Sequence, residues 1–494
     1  MLDSLAPLSA GPEIRSRLVL NHTFLKARVV AMPFIFYDLE TSGLSKPFDQ
    51  ILQFGAIYAD DDLNVIDQID LRCRRRPEVV PSPGAMLVTN LKPSDLEEPN
   101  LSHYEMVRQI VAWISDKVPA IFIGHNSLDF DEDFLRRCFY RTLEAPYLTL
   151  QNGNTRADTM IIAHALHHHD TKNIAVPEVG GKPSFRLGPL ARLNGIDFDE
   201  STAHDAFADI VATLELAKYM RDASPVVWDQ MLKNVNLAGI NELLKGSSLN
   251  YMSAVYFGRP FGFAVAEIGR SVDNQKEIAL FDLAHNPDDY VNLGVMQLIR
   301  VLGKSPKVIR VAQANKQPIL MPPTLPGAFL KPNGPDLQEL QRRANVVVNA
   351  THFSEAVGEA LPQRYLPKDK SAYVEEQIFD GFFADEDVAL MNLFHHSDWP
   401  ERTSIVTKFS DQRLHEIGNM IICEEAPQFA TETQLDEYAQ WVSYRKTTSD
   451  AVPWTTVTKA VVEANDLMNA NPEKADQISE IKDYLISLAD GAFE

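Results

Sequence analysis

An α/β fold, with an RNase H-like mixed sheet followed by a small β-barrel domain and a C-terminal helical domain, is predicted for this 494-residue chain by three features. Three successive strand-like runs near the start give way to alternating helix and strand patterns, the mark of a mixed α/β sheet. Short strand-like runs and a Pro-rich stretch come next. Capped amphipathic helical patterns then continue to the end. Length alone calls for two to four domains, because one core rarely serves more than about 100–200 residues. The expected division is an extension at 1–33, disordered, then 34–222 for the mixed sheet, 223–350 for the β-rich part and 351–494 for the helical part.

The first strand is FIFYDL, 34 to 39, within FIFYDLETSGL. A strand repeats every two residues, so Phe34, Phe36, Asp38 and Glu40 share one face and Ile35, Tyr37 and Leu39 the other. Apolar residues on both faces mark a central strand covered on both sides. Two more strands follow at QFGAIYA (53–59) and NVIDQIDLR (64–72), and AIFIGHN (120–126) supplies another, which leads into a helix from Phe130. Helices over DTMIIAHALHHH (158–169), RLGPLARLNG (186–195) and HDAFADIVATLELAKYM (204–220) complete the first domain. Beyond it, GRPFGFAVAEIG and KEIALFDLA read as strands, whereas QPILMPPTLPGAFLKPNGP (317–335) has too many prolines for a regular element. From about Val374 the pattern is helical, with runs such as SDQRLHEIGNM and EYAQWVSYRK. No internal repeat is evident.

Composition narrows the function. At 45% hydrophobic and 23% charged residues the chain is of ordinary globular type, and no apolar run approaches the roughly 18 residues of a membrane span. Cys73, Cys138 and Cys423 are odd in number and far apart, which excludes a disulfide framework or zinc motif and implies a reducing, cytoplasmic setting. A net charge of −22 argues, taken alone, against nucleic acid. A locally basic cleft or bridging metal ions can overcome it. Arg15, Arg17, Lys26 and Arg28 make the extension mildly basic, but it lacks the compact apolar stretch of a targeting peptide.

The chemistry lies in the acids. Asp38 and Glu40 end an otherwise apolar strand, Asp131 opens a helix after another strand, and Asp209 follows His204 by five residues in HDAFAD. Each alone has a plain explanation: Asp131 complements a helix dipole, and Asp209 sits beside a core stripe of Phe207, Ile210, Leu214 and Ala217. Together, four carboxylates repel unless cations neutralise them, and hard oxygen donors select Mg²⁺ or Mn²⁺ over zinc. Two such ions could clamp both oxygens of an in-line displacement at phosphorus. His204 titrates near neutrality and can take a proton from the attacking water.

This set resembles the DEDDh 3′→5′ exonucleases of RNase H-like fold, and is similar to the exonuclease I family of bacteria, which degrades single-stranded DNA. FIFYDLETSGL, PSPGAMLVTNLKP, GHNSLDFDEDFLRRCFYR, NTRADTM, GKPSFRLGPLARLNGI and AHDAFADIVATLELAK look like that family's blocks in its order, and VEEQIFDGFFADEDVALM (374–391) looks like its helical domain. The resemblance implies two Mg²⁺ ions on Asp38, Glu40, Asp131 and Asp209, His204 as general base, and a small β-barrel between the nuclease and helical parts. It implies single-stranded DNA as substrate, single-stranded DNA-binding protein as a partner, a monomer and a role in DNA repair. Met86 and Leu87 fall where the family wedges apolar side chains against terminal bases, and Arg156 and Arg186 where it approaches phosphate. The run Arg72, Arg74, Arg75 and Arg76 could track a strand or end a solvated strand. His164, His167, His168 and His169 suggest a helix end near nucleic acid or a surface helix more than a metal site. One departure stands out: NMIICEEAPQF (419–429) replaces the family's arginine-rich stretch. An RNA-trimming nuclease of the same superfamily and a binding protein without catalysis are the competing readings.

Overall fold

The computed structural model describes residues 32–198, 205–256, 258–328, 330, 334–365 and 369–490, so nearly all of the expected extension, and His204, lie outside the described residues. Five strands form the first sheet: β1 (Phe34–Thr41), β2 (Ile51–Ala59), β3 (Val65–Arg72), β4 (Ile121–Gly124) and β5 (Thr155–Asp158). Their order is β3-β2-β1-β4-β5, with β1 antiparallel to β2 and parallel to β4. The sheet is therefore mixed and β1 is central, as its two apolar faces require. Phe34 and Phe36 join one core with Ile57, Ile123 and Leu214, whereas Ile35, Tyr37 and Leu39 join another with Ile110, Phe134 and Phe139. Each fully buried side chain of this size contributes about 1.5–3 kcal/mol.

Helices α1 (Pro83–Val88), α2 (Pro93–Glu97) and α3 (His103–Ser115) connect β3 to β4, and α4 (Asp131–Arg141) connects β4 to β5. After β5 come α5 (Thr159–His169), the short strands β6 (Glu178–Val179) and β7 (Lys182–Pro183), α6 (Leu187–Leu193) and α7 (Ala206–Ala223).

The second sheet follows α8 (Pro225–Lys233) and α9 (Leu237–Gly246). It consists of β8 (Asn250–Tyr256), β9 (Arg259–Arg270), β10 (Glu277–Asp282), β11 (Ile309–Gln313) and β12 (Leu320–Met321), with α10 (Val295–Gly303) between β10 and β11. The order is β11-β10-β9-β8-β12, and the edge strands β11 and β12 do not pair among the described residues. The expected small β-barrel is not confirmed: among the described residues the strands form an open antiparallel sheet. The reason is local: Pro318 and the pair Pro322–Pro323 confine β12 to two residues, and proline cannot donate to a ladder. Helices α11 (Leu337–Val348) and α12 (Thr351–Gln363) cover this sheet, with Leu340, Val347, Phe353 and Val357 in one core with Ile268 and Phe281. In packing terms α12 belongs with the β-rich part, so the expected boundary at 350/351 cuts through a packed helix pair.

The remaining helices are α13 (Asp385–His396), α14 (Trp399–Val406), α15 (Gln412–Glu425), α16 (Glu432–Thr447), α17 (Val457–Ala470) and α18 (Ala475–Asp490). They meet the first domain through apolar cores. Tyr104, Tyr140 and Leu143 pack with Phe394, Ile417 and Ile421, and Met86, Leu91 and Leu96 pack with Val457, Ile481 and Leu485. Among the described residues no helix is long and apolar enough to cross a membrane.

Candidate active site

Two close approaches of backbone build the site. The first is at Gly55, which lies opposite Asp38 in the β1–β2 register. A Cβ there would fall 2.7 Å from Ile210 Cδ1 and 3.3 Å from the amide nitrogen of Phe207, so the missing side chain lets α7 cross the sheet against β1. Asp209, in the first turn of α7, thereby meets the end of β1. One carboxylate oxygen from each of Asp38, Glu40 and Asp209 lies within 4.8 Å of the others. The start of α7 is anchored by its N-cap Asp205, which accepts from the amides of Phe207 and Ala208 and from Arg72 Nη2 at 2.6 Å. Gln53, opposite Glu40, completes the anchor, donating to Asp70 at 2.8 Å and to Asp205 at 3.4 Å.

The second approach is at Gly124, where a Cβ would sit 2.8 Å from the Tyr37 carbonyl. The chain then turns through Asn126 at a φ of 67° and enters α4 at Asp131. Asp158 holds this turn: its carboxylate accepts from the amides of Asn126 (3.0 Å) and Leu128 (3.1 Å) while capping α5 through Met160 (2.8 Å). Asp131 is buried and accepts hydrogen bonds from its own amide and that of Leu39. It stands outside the tight set of three, yet near enough for its charge to act on both Asp38 and Glu40.

Burial, then the charges of Asp131, Glu40 and Asp209, hold the Asp38 carboxyl well above its ordinary range. Burial and the neighbouring acids push Glu40 up to about 9. Asp131 rises to about 8, chiefly through burial, against the pull of its two amide hydrogen bonds. Several carboxylate oxygens crowded this closely suit a hard divalent ion such as Mg²⁺ or Mn²⁺.

Other expected contacts fall elsewhere. Arg156 is buried rather than presented to a phosphate: Nη1 pairs with Glu132 at 2.6 Å and Nη2 donates to the Asn315 carbonyl. Glu132 follows Asp131 directly and needs that counter-charge, which Arg136 (3.0 Å) and Thr149 (2.7 Å) supplement. Met86 is also buried, in the core shared with α17 and α18, so it cannot wedge against a base. Leu87 is half-buried, and Val88 is the exposed side chain of that turn. Arg186 is exposed at the start of α6, free of a capping role. The arginine run is largely engaged: Arg72 with Asp205, Arg75 with Glu97, and Arg76 with Glu78.

The histidines of α5 are not a surface cluster. His168 is buried, the His164 ring meets the Phe185 ring edge-on at 4.0 Å, and His169 bonds to the Leu325 carbonyl and the Ser253 hydroxyl. Among the described residues they do not converge as a ligand set. Glu424 and Glu425, in place of the arginine-rich stretch, turn inward to Arg141 (2.5 Å) and Ser102 (2.7 Å). Sequence reasoning missed Asp158 and Glu132, whose ties to Asn126, Leu128 and Arg156 reach across separate segments, and passed over Leu44, which is 81% exposed beyond Gly43 at the end of β1. An apolar residue directly after a glycine that ends a buried strand is the signal that could have found it.

Residues 35–217 match the family described as Exonuclease, and residues 372–488 match the Exonuclease I C-terminal domain. The chain is similar to exodeoxyribonuclease I of Haemophilus influenzae, 26% identical over 477 residues that cover 92% of this chain and 98% of that protein. It is likewise similar to exodeoxyribonuclease I of Escherichia coli, 26% identical over 438 residues, 84% of this chain and 89% of the other. The crystal structure of E. coli exonuclease I in complex with a dA16 oligonucleotide matches with a TM-score of 0.78 at 22% identity, covering 93% of this chain and 100% of that one. A moderately thermophilic exonuclease I from Methylocaldum szegediense gives a TM-score of 0.78 at 24% identity, covering 94% and 100%. These structural matches establish the fold.

Proposed function

Because this chain belongs to the exonuclease I family, carrying both its nuclease region and its C-terminal domain, we propose that it hydrolyses single-stranded DNA from the 3′ end and releases 5′-mononucleotides. The observation that carries the reading is the convergence of Asp38, Glu40 and Asp209 within 4.8 Å, with Asp131 acting on them from α4. Two divalent ions, Mg²⁺ or Mn²⁺, held by these four residues would neutralise the phosphodiester and lower the pKa of the attacking water.

The chain's own groups do the rest. Asp38 and Glu40 are fixed by β1, Asp209 by a helix anchored through Asp205, and Asp131 by a turn held through Asp158, so the donors are set before substrate arrives. His204, immediately before Asp205, takes the proton from the attacking water. The P–O3′ bond breaks, leaving a 3′-hydroxyl on the shortened strand and a 5′-phosphate on the nucleotide. Arg186, Leu87 and the exposed Leu44 are the side chains left to hold the terminal nucleotides, and partnership with single-stranded DNA-binding protein and a monomeric state belong to the same reading.

The test is digestion of matched 5′-labelled DNA and RNA oligomers, single- and double-stranded, with Mg²⁺, Mn²⁺ or chelator. The expected result is a ladder that shortens from the 3′ end of single-stranded DNA and stops with chelator. Preference for RNA, or undiminished cleavage in chelator, overturns the proposal.

A further inference from the structure

Where the arginine run meets the helical region, the two enclose a cavity of about 580 Å³, within the range usual for small-molecule sites. Its walls come from the segment after β3, the start of α3, and α15, α16 and α18. Two cations on these walls keep hydrogen-bonding capacity to spare. Lys446 is 6% exposed, yet its ammonium has no hydrogen-bond or ion-pair partner among the described residues. Arg76 is 8% exposed, reaches Glu78 at 3.4 Å, and its Nε makes no hydrogen bond.

The acids on the same walls have hydrogen-bond partners of their own, although the charge of Glu97 also reaches Lys446. Glu97 serves Arg75 and Tyr484, Glu424 serves Arg141 and Tyr438, and Glu425 accepts from Ser102. Arg74, exposed, adds a further positive charge. Lys446, Arg76 and Arg74 line one space, and a phosphate with several acceptor oxygens complements an ammonium and guanidinium groups there.

We propose that this cavity is a phosphate-group site, holding inorganic phosphate or a nucleoside 5′-monophosphate through Lys446, Arg76 and Arg74. Its volume suits one small molecule, with Tyr438 and Val442 offering surface to a base. The site is separate from the carboxylates and does not depend on the nuclease reading. Because its walls span two regions, an occupant would also tie them together.

The experiment is calorimetric titration of the full chain in chelator, which removes the cations that could hold phosphate at the carboxylates. Sodium phosphate and thymidine 5′-monophosphate are the ligands, at an ionic strength matched with sodium chloride. We expect saturable binding with Kd below about 1 mM, weakened at least tenfold by Lys446→Gln and largely restored in Lys446→Arg. Equal affinity for the two ligands assigns recognition to the phosphate group, and tighter nucleotide binding adds contacts to sugar and base. Arg74→Gln, at an exposed position whose one side-chain hydrogen bond is to the Asn100 carbonyl, should weaken binding at least threefold. Absence of saturable binding to the parent chain, or parent-like affinity in Arg74→Gln together with a folded Lys446→Gln, overturns the proposal. If Lys446→Gln does not fold, parent-like affinity in Arg74→Gln overturns it alone.

Discussion

Two regions of this molecule bury acidic side chains, and they do so in opposite ways. At the junction with the helical region three acids meet arginines: Glu424 with Arg141 at 2.5 Å, Glu375 with Arg445 at 3.0 Å, and Glu78 with Arg76 at 3.4 Å. Burial alone would raise the Glu78 carboxyl, but Arg76 and Arg141 outweigh it and hold it below its ordinary range. At the end of β1 the acids meet one another, and Glu40 is pushed up to about 9. The contrast narrows to adjacent residues on α4, where Glu132 has Arg156 and Arg136 while Asp131 has only amide donors and rises to about 8. Acids matched inside the protein are structural. Acids crowded against one another are the ones that a divalent cation would bind most readily.

Four changes test this division. Asp209→Ala should lower hydrolysis by about 10³-fold or more, roughly 4 kcal/mol of barrier, without lowering the melting temperature of the metal-free protein, because removing one of several like charges relieves repulsion. A steep loss of thermal stability, with activity falling only in step with folded protein, would move Asp209 to the structural class. Arg141→Ala should do the reverse. Leaving Glu424 buried and unmatched should cost about 3–5 kcal/mol in urea unfolding, with the turnover of folded protein unchanged.

His204→Ala should fall between these, slowing hydrolysis by about 10²-fold with a rate that rises further into the alkaline range, since the base is replaced by hydroxide. An unchanged pH–rate profile would remove its role. The last test is the pH dependence of stability without metal. Glu40 and Asp131 have folded pKa values of about 9 and about 8, above an unfolded value of about 4. Their stabilising contribution is complete below the unfolded value and is lost as pH rises through the folded ones. The melting temperature in chelator should therefore fall by several degrees between pH 5 and pH 9. Divalent ions or Glu40→Gln should flatten the slope, and a slope unaffected by either would show that the site acids are matched after all.

Much of this was legible in the chain because it depends on local periodicity. The alternation in FIFYDLE placed Asp38 and Glu40 on one face of a buried strand, and the glycines at 55 and 124, which admit α7 and the turn before α4, lie inside patterns read as strands. Partner choice was not legible. Arg156 could be seen near the right block, but that it answers Glu132 depends on how β5 packs beside α4. Met86 was expected at the terminal bases from its place in the family's block, and its burial depends on α17 and α18, far along the sequence. The open second sheet had the same cause. Strand count is local, whereas closure depends on whether two edges are long enough to meet.

The seat of α1 against α17 and α18 has a consequence in time. The carboxylate of Glu463, on α17, accepts from the hydroxyl of Ser82 and the amide of Gly84, at the N-terminus of α1, across a separation of 381 residues. A ribosome adding about 5–20 residues per second needs about 20–75 s to cover that interval. Throughout it, the apolar side of α1 has no α17 or α18 to rest on, and the nascent nuclease region stays incomplete. An arrested or truncated translation product would therefore expose Met86 and Leu91 as marks for chaperones and proteases before it could act as a finished enzyme.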